Sequence, residues 1–385
     1  MKLTKILIAH QSSIPHYRVD FFNKLYDKTK EKFIFDVVYD SISQKQYFLE
    51  TLNVSDFKFN LLNTKTYSIS LFNKIISIQN FIFSLKNYDV VIVEDAINNL
   101  SYPICHLLKP FYNYKIIKWG HGRDLSSSKP NCFKKKIENF KLKLIQKSDG
   151  YLAYTNYVKT YLVSKGIDEN IITVINNTIN INKNYKLVDR KKVDIYKKEL
   201  NISNKNILLY VGRIDERKKI PLLIDSLVEL KKYLKDFIIF IVGDGDNNLI
   251  TRIQNSIGSN YFRHVGAITD ENILVKYYSI CDLFVFPGDV GLGPLTAISY
   301  NAVPLIIDSH THNPEIEYLN SNNSIILPIN TDSKNYAESI LKYLSNKEKI
   351  NSKKNKSWDT IKHLTLDNMV INFITSMERL IYEKN

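Results

Sequence analysis

The chain has 385 residues, 44% of them hydrophobic and 24% charged, with a formal net charge of +14. This length predicts two or three domains, and this apolar fraction excludes a largely disordered chain. With 12 glycines and 10 prolines a collagen-like chain is excluded, and no apolar run reaches the roughly 18 residues that a membrane-spanning helix needs.

Charge is unevenly placed along the chain. Residues 1–190 hold 28 Lys and Arg against 16 Asp and Glu, whereas residues 191–385 hold 25 against 23. A basic half attracts an anionic partner, which is a nucleic acid, an anionic membrane or a phosphorylated substrate, although an AT-rich genome also enriches a chain in lysine. The apolar run at residues 6–9 is too short for a secretory signal, so a cytoplasmic protein is expected. The three cysteines lack paired spacing, so neither disulfides nor a zinc site is predicted.

Short runs of β-branched and aromatic residues alternate with longer amphipathic stretches, a pattern typical of strand-helix-strand units around a parallel sheet. In the first half, strands are predicted at 5–9, 35–39, 90–94, 115–119, 150–153 and 172–175. Helices are predicted there at 17–28, 71–85, 99–108, 132–146 and 156–165. The Asn-rich stretch 176–190 reads as a linker.

A second series of the same kind follows the linker. Its strands are predicted at 206–212, 237–243, 262–266, 283–287 and 304–308. Its helices are predicted at 221–233, 247–257, 271–280 and 295–301, and residues 357–382 have a helical pattern. The predicted fold class is therefore α/β, with two doubly wound Rossmann-like domains facing a cleft, and ligands are expected outside the carboxyl ends of the strands.

Two carboxylates, Glu94 and Asp95, end a predicted strand of the first half. Adjacent side chains point to opposite sides of an extended backbone, so their spacing alone does not make them an acid/base pair. Either one of them binds substrate hydroxyls, or both face solvent or cap the next helix.

His121 lies between two glycines where another predicted strand ends. A single histidine is usually structural, but flanking glycines favour the close approach of a ligand. Arg123 and Asp124 either belong to the same site or form a surface ion pair.

Residues 134–147 contain six lysines and one glutamate. Four apolar residues recur there at helical spacing: Phe133, Ile137, Phe140 and Leu144. This basic amphipathic helix either packs its apolar face on its own sheet or docks on an anionic membrane, where a lysine contributes about 1 kcal/mol.

The strongest local signal lies at the start of the second half. A predicted buried strand ends at Gly212, Arg213 follows at its carboxyl edge, and Lys218 opens the next helix. Two cations beside the free N–H groups of a helix start suit a diphosphate. A structural ion pair with Asp215 or Glu216 accounts for the same residues equally well.

A glycine loop strengthens the diphosphate interpretation. Gly288, Gly291 and Gly293 fall just before a predicted helix, where missing side chains allow backbone amides to approach phosphate oxygens.

These motifs resemble the donor domain of the GT-B glycosyltransferases, specifically the retaining enzymes of family 4, the group 1 glycosyltransferases. The similar positions of the first motif are Val211, Gly212, Arg213, Lys218, Leu223 and Ile224. Lys219 stands where the family has glycine, and Val265-Gly266 is similar to the family's turn that binds the nucleotide base. The resemblance is dense from 206 to 320 and thin in the first half.

The donor loop departs from the family pattern. Two glutamates with seven residues between them are usual there, and this chain has Asp289 and Ala297 at those positions. Because the second glutamate holds the donor ribose in the family, that contact is lost or supplied elsewhere. Glu315 is the candidate substitute, with a helix-capping role as the alternative.

The resemblance implies a domain organisation of 1–185 for the acceptor, 186–365 for the donor and a tail at 366–385 that packs back on the first domain. In the family, a histidine of the first domain contacts the donor sugar, and the resemblance assigns that role to His121. The remaining implied donor contacts are Gly212, Val265, Gly266, Asp289, Val290, Gly291, Leu292 and Glu315. The implied acceptor side comprises Tyr17, Arg18, Glu94, Arg123 and Asp124, with core packing as the alternative for Tyr17.

The expected function is transfer of a sugar from a nucleotide sugar to a saccharide acceptor in the lipid-linked form used for bacterial surface polysaccharides, with retention of configuration. Arg213 and Lys218 would stabilise the leaving diphosphate, so neither a metal nor another cofactor is expected. The alternatives are a GT-B epimerase, which needs clustered carboxylates, and a phosphorylase, which needs a pyridoxal-binding lysine. A non-enzymatic basic module for membranes or nucleic acid is a further alternative. Nucleic-acid binding is disfavoured because the most ligand-like residues lie in the nearly neutral half.

Overall fold

The computed structural model describes residues 3–11, 14–42, 54–71, 74–123 and 132–382. The chain divides into two compact units. The first unit comprises Met1–Ile179 together with Leu366–Asn385, and the second comprises Asn180–Thr365.

The first unit contains a parallel sheet and a hairpin. Its strands are β1 (Thr4–Ala9), β2 (Phe33–Tyr39), β3 (Asn60–Asn63), β4 (Thr66–Leu71), β5 (Lys74–Gln79), β6 (Val90–Glu94), β7 (Lys115–Gly120), β8 (Gly150–Ala153) and β9 (Ile172–Val174). Strands β4 and β5 pair with each other as an antiparallel hairpin. The other seven strands form a parallel sheet in the order β3-β2-β1-β6-β7-β8-β9.

Helices cover both faces of this sheet. Those described are His16–Thr29, Ser101–Tyr112, Cys132–Gln146, Asn156–Ser164 and Leu366–Tyr382, with 3-10 turns at Val54–Asp56, Asn80–Asn87 and Glu169–Ile171. The tail helix belongs to this unit because its apolar side is buried there. The Phe373 ring centroid lies 5.6 Å from those of Phe21 and Trp119.

The second unit repeats the same plan. Its strands are β10 (Asn206–Val211), β11 (Phe237–Val242), β12 (Phe262–Gly266), β13 (Leu283–Phe286), β14 (Pro304–Ile307) and β15 (Ile325–Leu327). They are parallel and follow the order β12-β11-β10-β13-β14-β15. Its helices are Ile181–Leu187, Val193–Glu199, Ile220–Tyr233, Asn247–Ile257, Glu271–Ile280, Leu292–Ser299, Ser333–Leu344 and Lys347–Ile361, with 3-10 turns at Arg190–Lys192, Glu216–Lys218 and Pro314–Tyr318.

The predicted α/β fold class is confirmed, since both units carry a doubly wound parallel sheet. In each sheet the strand order reverses between the first strand and the fourth, at β1/β6 and at β10/β13. A crevice outside the carboxyl ends of the strands opens at such a reversal, which makes it the usual place for a ligand. Among the described helices, none has both the length and the apolarity required to cross a bilayer.

Two predicted elements are wrong. Where a helix is predicted at 71–85, Lys74–Gln79 forms the second strand of a hairpin and Asn80–Asn87 a 3-10 turn, because Ile76 and Ile78 alternate with Ser77 and Gln79 at the period of a strand. The stretch 176–190 contains a helix instead of a plain linker.

The helix in that stretch, Ile181–Leu187, belongs to the second unit. Its Asn184 donates a hydrogen bond to Ser299 Oγ at 2.9 Å, and the Tyr185 ring stacks on Trp358 with centroids 4.0 Å apart. Both partners lie in the second unit, so the boundary falls at 179/180 where the sequence predicts 185/186.

Candidate active site

The site in the second unit is built from the two loops at the β10/β13 reversal. The first loop leaves β10 through Gly212 and Arg213 and turns into the helix Ile220–Tyr233. The second leaves β13 and enters the helix Leu292–Ser299. The sequence therefore delivers both predicted phosphate-binding loops to one point on the sheet edge.

The first loop is fixed by its own side chains. Asp215 caps the turn by accepting a hydrogen bond from the backbone N–H of Lys218 at 2.9 Å. Tyr210 donates its hydroxyl hydrogen to the Arg213 carbonyl at 2.7 Å. Lys219 adopts a left-handed conformation with φ of 52°. Glycine costs least in that conformation, which fits the glycine that the family resemblance leads us to expect there.

Lys218 joins the two loops, whereas Arg213 is exposed. The Lys218 ammonium donates to the carbonyl oxygen of Asp289 at 2.6 Å and lies 5.1 Å from the centroid of the Phe286 ring. Burial lowers the pKa of Lys218, and the neighbouring Asp289 and Asp215 carboxylates oppose that shift. The ion pair of Asp215 is with Arg217 at 3.9 Å, so the alternative of a Lys218–Asp215 ion pair is not formed.

Gly288 has a packing role that the sequence did not show. A Cβ atom at this position would lie 2.3 Å from Lys218 Cα and 2.5 Å from its carbonyl oxygen. The glycine is therefore required because the two loops touch backbone to backbone. Gly293 has more room, since its nearest neighbour, Phe286, would be 3.6 Å from an added Cβ.

A polar segment after β14, residues 309–313, stabilises the loop between β13 and the helix Leu292–Ser299. We call this loop the donor loop and the polar segment its brace. Thr311 donates to Asp289 Oδ1 at 2.6 Å, and Ser309 reaches the same oxygen at 3.4 Å. His312 accepts a hydrogen bond from the N–H of Val290 at 3.0 Å through Nδ1, and its Nε2 lies 3.1 Å from the Ile307 carbonyl. These two bonds require the neutral tautomer, and burial accordingly lowers the His312 pKa.

Sequence reasoning missed this brace, although the run Ser309-His-Thr-His-Asn at the carboxyl end of a buried strand was a visible signal.

Glu315 and Ala297 are both buried beside this loop. Glu315 is 2% exposed within the turn Pro314–Tyr318, and Ala297 is fully buried in the helix Leu292–Ser299. The backbone N–H of Asn313 donates to the Val290 carbonyl at 2.9 Å, which places the turn next to the loop.

The predicted base-binding turn lies on the neighbouring strands. Gly266 has a φ of 80° and accepts a hydrogen bond from the N–H of Gly243 at 2.9 Å. Gly243 has no room for a side chain, because a Cβ would lie 2.0 Å from the Gly212 carbonyl oxygen. Val265 and Gly266 are partly exposed at this edge.

A second cluster of candidate side chains lies at the carboxyl edge of the first unit. Asp95 Oδ2 accepts hydrogen bonds from the Gly122 N–H at 2.8 Å and from the Tyr151 hydroxyl at 2.5 Å. Lys141 forms a buried ion pair with the same oxygen at 3.3 Å. Burial opposes ionisation of Asp95, but Lys141, His121 and the two donors outweigh it and lower the pKa. Asp95 is therefore a buried structural carboxylate that holds the turn around His121.

Glu94 occupies a different environment from its neighbour. Burial, followed by the charge of Asp95, raises the pKa of Glu94 to about 7. Lys118 is buried close to it, and burial lowers its pKa to about 8. The residue as a whole is nevertheless partly exposed at the end of β6.

His121 is partly exposed at the end of β7. Its ring centroid lies 4.5 Å from that of Tyr154, whose hydroxyl lies 2.9 Å from Nε2 of the buried His10. Burial, then the charges of Arg18 and His121, hold the His10 pKa well below its usual value. Arg123 lies with its guanidinium carbon 5.1 Å from the centroid of Tyr157, and Asp124 lies outside the described residues.

Arg18 is placed differently from its predicted acceptor role. It is fully buried in the first unit, where it donates to Asn177 Oδ1 at 2.5 Å and to Met369 Sδ at 3.6 Å. Four aromatic rings surround its guanidinium: Tyr17, Phe21, Trp119 and Tyr154. A guanidinium packed in this way has no surface left for an acceptor, so its geometry is that of a core residue. Tyr17 remains 36% exposed.

The basic helix Cys132–Gln146 packs through fewer apolar residues than the sequence predicts. Lys141, Leu144 and Ile145 are its buried residues. Phe133 and Phe140 are 64% and 48% exposed, so the predicted apolar face is only partly covered.

The described residues contain no group of three His, Cys, Asp or Glu side chains arranged to hold a metal ion. Asp244 and Asp246 have the Asp-x-Asp spacing of some metal sites, but Asp246 caps the helix Asn247–Ile257 by accepting from the Asn248 N–H at 2.8 Å. The expectation that no metal is required remains a prediction.

The family comparison agrees with the geometry of the second unit. Residues 192–359 match the family described as "Glycosyl transferases group 1". The second unit carries a group 1 glycosyltransferase domain. The match includes both loops of the β10/β13 reversal and the polar brace after β14.

Relatives of known description are distant. The chain is 28% identical over 171 residues to spore coat protein SA of Bacillus subtilis (strain 168), covering 39% of this chain and only 42% of that protein. It is 24% identical over 290 residues to N,N'-diacetylbacillosaminyl-diphospho-undecaprenol alpha-1,3-N-acetylgalactosaminyltransferase of Campylobacter jejuni, covering 72% of each chain.

Solved structures extend the likeness to the whole chain. Anabaena Alr3699/HepE in complex with UDP matches with a TM-score of 0.69 at 13% identity, over 97% of this chain and 99% of that one. A glycosyltransferase from Rickettsia africae ESF-5 matches with a TM-score of 0.70 at 18% identity, over all of both chains. At these identities the likeness shows the fold, and the fold is GT-B.

Proposed function

We propose that this protein transfers a sugar from a nucleoside-diphosphate sugar to a saccharide carried on a lipid, with retention of the anomeric configuration. The group 1 domain supports the transferase class. The Campylobacter relative is named for a lipid-diphosphate-linked sugar acceptor, which supports the acceptor class. A role in surface polysaccharide synthesis is part of the same proposal.

One observation carries the proposal more than any other. Arg213 and Lys218 lie with the glycine loop at the strand-order reversal of the group 1 domain, and Lys218 bonds to the loop backbone at Asp289. Cations and backbone amides at the carboxyl edge of a parallel sheet are the groups that bind a diphosphate.

The proposed chemistry follows from this arrangement. Cleavage of the bond between the anomeric carbon and the diphosphate places negative charge on the leaving group. Arg213, Lys218 and the amides of Val290, Gly291 and Leu292 stabilise that charge, and fixed donors of this kind are worth about 2.7–4 kcal/mol each. In a same-face displacement the departing phosphate accepts the proton of the acceptor hydroxyl, which gives retention without a protein nucleophile.

Other residues bind the rest of the donor. Val265 and Gly266 contact the base, and Gly212 forms part of the phosphate turn. Glu315 replaces the missing ribose-binding glutamate, because its turn is bonded to the donor loop through Asn313. His121 contacts the donor sugar from the first unit.

The acceptor is bound by the first unit. Glu94 and Arg123 are partly exposed at its carboxyl edge, and Tyr17 is exposed on the first helix. The basic helix Cys132–Gln146 places its lysines toward an anionic membrane that carries the acceptor.

Sugar transfer in the presence of donor and acceptor tests the proposal. Arg213→Ala and Lys218→Ala are expected to lower kcat about 100-fold or more. Arg252→Ala and Lys232→Ala are matched controls, since both cations are exposed on helices away from the site. Wild-type rates in the two site variants would refute the proposal.

Incubation with the donor alone distinguishes an epimerase, because epimerisation needs no acceptor. The fold does not decide this point, since a putative UDP-N-acetylglucosamine 2-epimerase from Listeria monocytogenes matches with a TM-score of 0.64. Transfer predicts an unchanged donor sugar when no acceptor is present, and inversion at a sugar carbon would favour the epimerase.

A further inference from the structure

The hairpin of the first unit lies outside the parallel sheet and exposes its outer strand. Among the described strands, β4 and β5 pair with each other and with no other strand. Residues 67–70 of β4 are all exposed, and the exposed fractions of Tyr67 and Ile69 are 59% and 66%. A two-stranded hairpin is marginally stable in water, whereas three or more strands that share an apolar face are stable. The hairpin therefore has the form of an incomplete sheet.

The inner edge of the hairpin, formed by β5, is hydrogen bonded. The N–H of Ser77 donates to the Asn98 carbonyl at 2.9 Å, and the Ser77 carbonyl accepts from the Leu100 N–H at 2.7 Å. In an antiparallel pair, the N–H and C=O of one residue point to the same side, and this side alternates along the strand. Both backbone groups of Ser77 therefore point away from β4, and those of the opposite residue, Ser68, point away from β5.

The outer edge of the hairpin, formed by β4, is open. The same alternation directs the backbone groups of Thr66 and Ser70 outward, and the Thr66 N–H indeed donates to Asp40 Oδ2 at 2.8 Å. In the described part of the chain, no residue hydrogen bonds to the backbone N–H or C=O of Ser68 or Ser70. Edge strands are usually protected by a charged residue, a proline or a bulge. Residues 66–71 contain neither a charged residue nor a proline, and their pairing with β5 has no bulge.

One face of the hairpin is apolar. Tyr67 lies opposite Ile78, and Ile69 lies opposite Ile76. These four side chains share a face because residues two apart on a strand point the same way. A strand added at the outer edge of β4 would extend this apolar face next to Ile69.

We propose that two copies of the chain pair through the outer edge of β4 around a two-fold axis, so that two hairpins form one four-stranded antiparallel sheet. Ser68 of each copy exchanges two N–H···O bonds with Ser70 of the other copy, which gives four hydrogen bonds in all. Ile69 then lies on the axis opposite Ile69 of the second copy, with Cβ atoms about 4.5–5.5 Å apart. This pairing does not rest on the proposed function.

A second copy fits this edge better than a foreign peptide does. Ser68 and Ser70 flank Ile69 symmetrically, so the edge is complementary to itself under a two-fold rotation. Foreign peptides that add to a sheet edge are selected by the side chains beside that edge, and the exposed residues 67–70 carry no charge to select one. A contact without charges also allows two copies of a chain with a net charge of +14 to meet.

Sedimentation velocity of the full chain without substrate, over a range of concentrations, tests the pairing. The wild type is expected to shift from one chain to two as concentration rises. It should dimerise more tightly as salt rises, because salt screens the repulsion between two basic chains. Ile69→Lys and Ile69→Asp are each expected to weaken dimerisation about 10-fold or more, because like charges face each other across the axis. A mixture of these two variants should form dimers more tightly than either variant alone, because opposite charges then face each other.

Ile195→Lys is the matched control, since Ile195 is 54% exposed in the second unit. It should dimerise as the wild type does, and thermal melting checks that each variant is folded. If Ile69→Lys fails to fold, the cross-linking experiment that follows tests the same contact.

Disulfide cross-linking tests the register in a Cys132→Ser background, which lacks the exposed cysteine. Ile69→Cys is expected to give a disulfide-linked dimer on mild oxidation, because the two positions face each other on the axis. Tyr67→Cys is the matched control, because the two copies of position 67 would lie about 13 Å apart along the strands. It should stay unlinked.

Three outcomes overturn the proposal. A wild type that remains a single chain at every concentration measured would leave the edge to a foreign strand or to solvent. Dimers that a folded Ile69→Lys leaves unchanged would place the contact elsewhere on the chain. Cross-links that form at position 67 and not at position 69 would reject the two-fold register.

Discussion

Gly288→Ala is expected to separate the two loops of the site. The new methyl group would lie 2.3 Å from Lys218 Cα, whereas ordinary contacts of a Cβ begin near 3.4 Å, so one loop has to move by about 1 Å. Backbone cannot rotate away as a side chain does. We therefore expect a loss of about 1–3 kcal/mol in the free energy of unfolding. The same displacement is expected to weaken nucleotide binding about 10- to 100-fold.

Urea unfolding and calorimetric titration with UDP, GDP and dTDP measure both effects. Gly293→Ala is the matched control from the same loop, because its methyl group would stay 3.6 Å from Phe286. In the first turn of its helix this change is expected to alter the free energy of unfolding by less than about 1 kcal/mol and to weaken nucleotide binding less than Gly288→Ala does. Equal behaviour of the two variants would refute the packing argument.

Three further changes probe the surroundings of the two sites. Lys219→Gly is expected to stabilise the fold by up to about 1 kcal/mol in urea unfolding, since φ is 52° there; destabilisation would show that the lysine side chain outweighs the strain. Between about pH 4.5 and pH 7, the free energy of unfolding of Glu94→Gln is expected to rise by about 1–2 kcal/mol relative to that of the wild type. The reason is that the raised pKa of Glu94 makes the wild type lose stability as pH rises through that window. Parallel curves of unfolding free energy against pH would contradict this prediction. Asp95→Asn is expected to lower the free energy of unfolding by about 3 kcal/mol or more, because it leaves Lys141 buried without its ion-pair partner. Adding Lys141→Met should recover most of this loss. If it recovers none, the buried ion pair is not the cause.

The parallel strands of both units were predictable because they are short, apolar and rich in β-branched residues. The strand β6 has the sequence Val-Val-Ile-Val-Glu, and β11 has Phe-Ile-Ile-Phe-Ile-Val. Runs this apolar are buried on both faces, as in α/β sheets. The hairpin β4–β5 was not predicted, since its isoleucines also fit a helical pattern and the choice depends on the backbone pairing along the two strands.

The site was predictable where residue type alone determines the chemistry. Arg213, Lys218 and the glycine loop could be placed at one sheet edge because strand ends of a parallel sheet converge there. The reason for Gly288 could not be found in the sequence, since it depends on the Lys218 backbone, 70 residues away along the chain.

The burial of Arg18 and Asp95 likewise could not be predicted from the sequence. Sequence reasoning treated the arginine as a possible acceptor ligand, but four aromatic rings from separate parts of the first unit enclose it. For Asp95 the sequence left open substrate binding, exposure to solvent or helix capping, yet its carboxylate is bonded to Tyr151 and Lys141 from two other elements. Burial of a polar group is decided by such distant partners, which a single sequence does not reveal.

The central claim is that Arg213 and Lys218 bind a diphosphate at the β10/β13 reversal. A crystal structure of the chain with whichever of UDP, GDP or dTDP binds most tightly tests this directly. The account predicts diphosphate oxygens about 3 Å from the Arg213 guanidinium and the Lys218 ammonium, beside the amides of the loop that begins at Gly288. A diphosphate bound elsewhere on the protein, with both cations pointing away from it, would contradict the account.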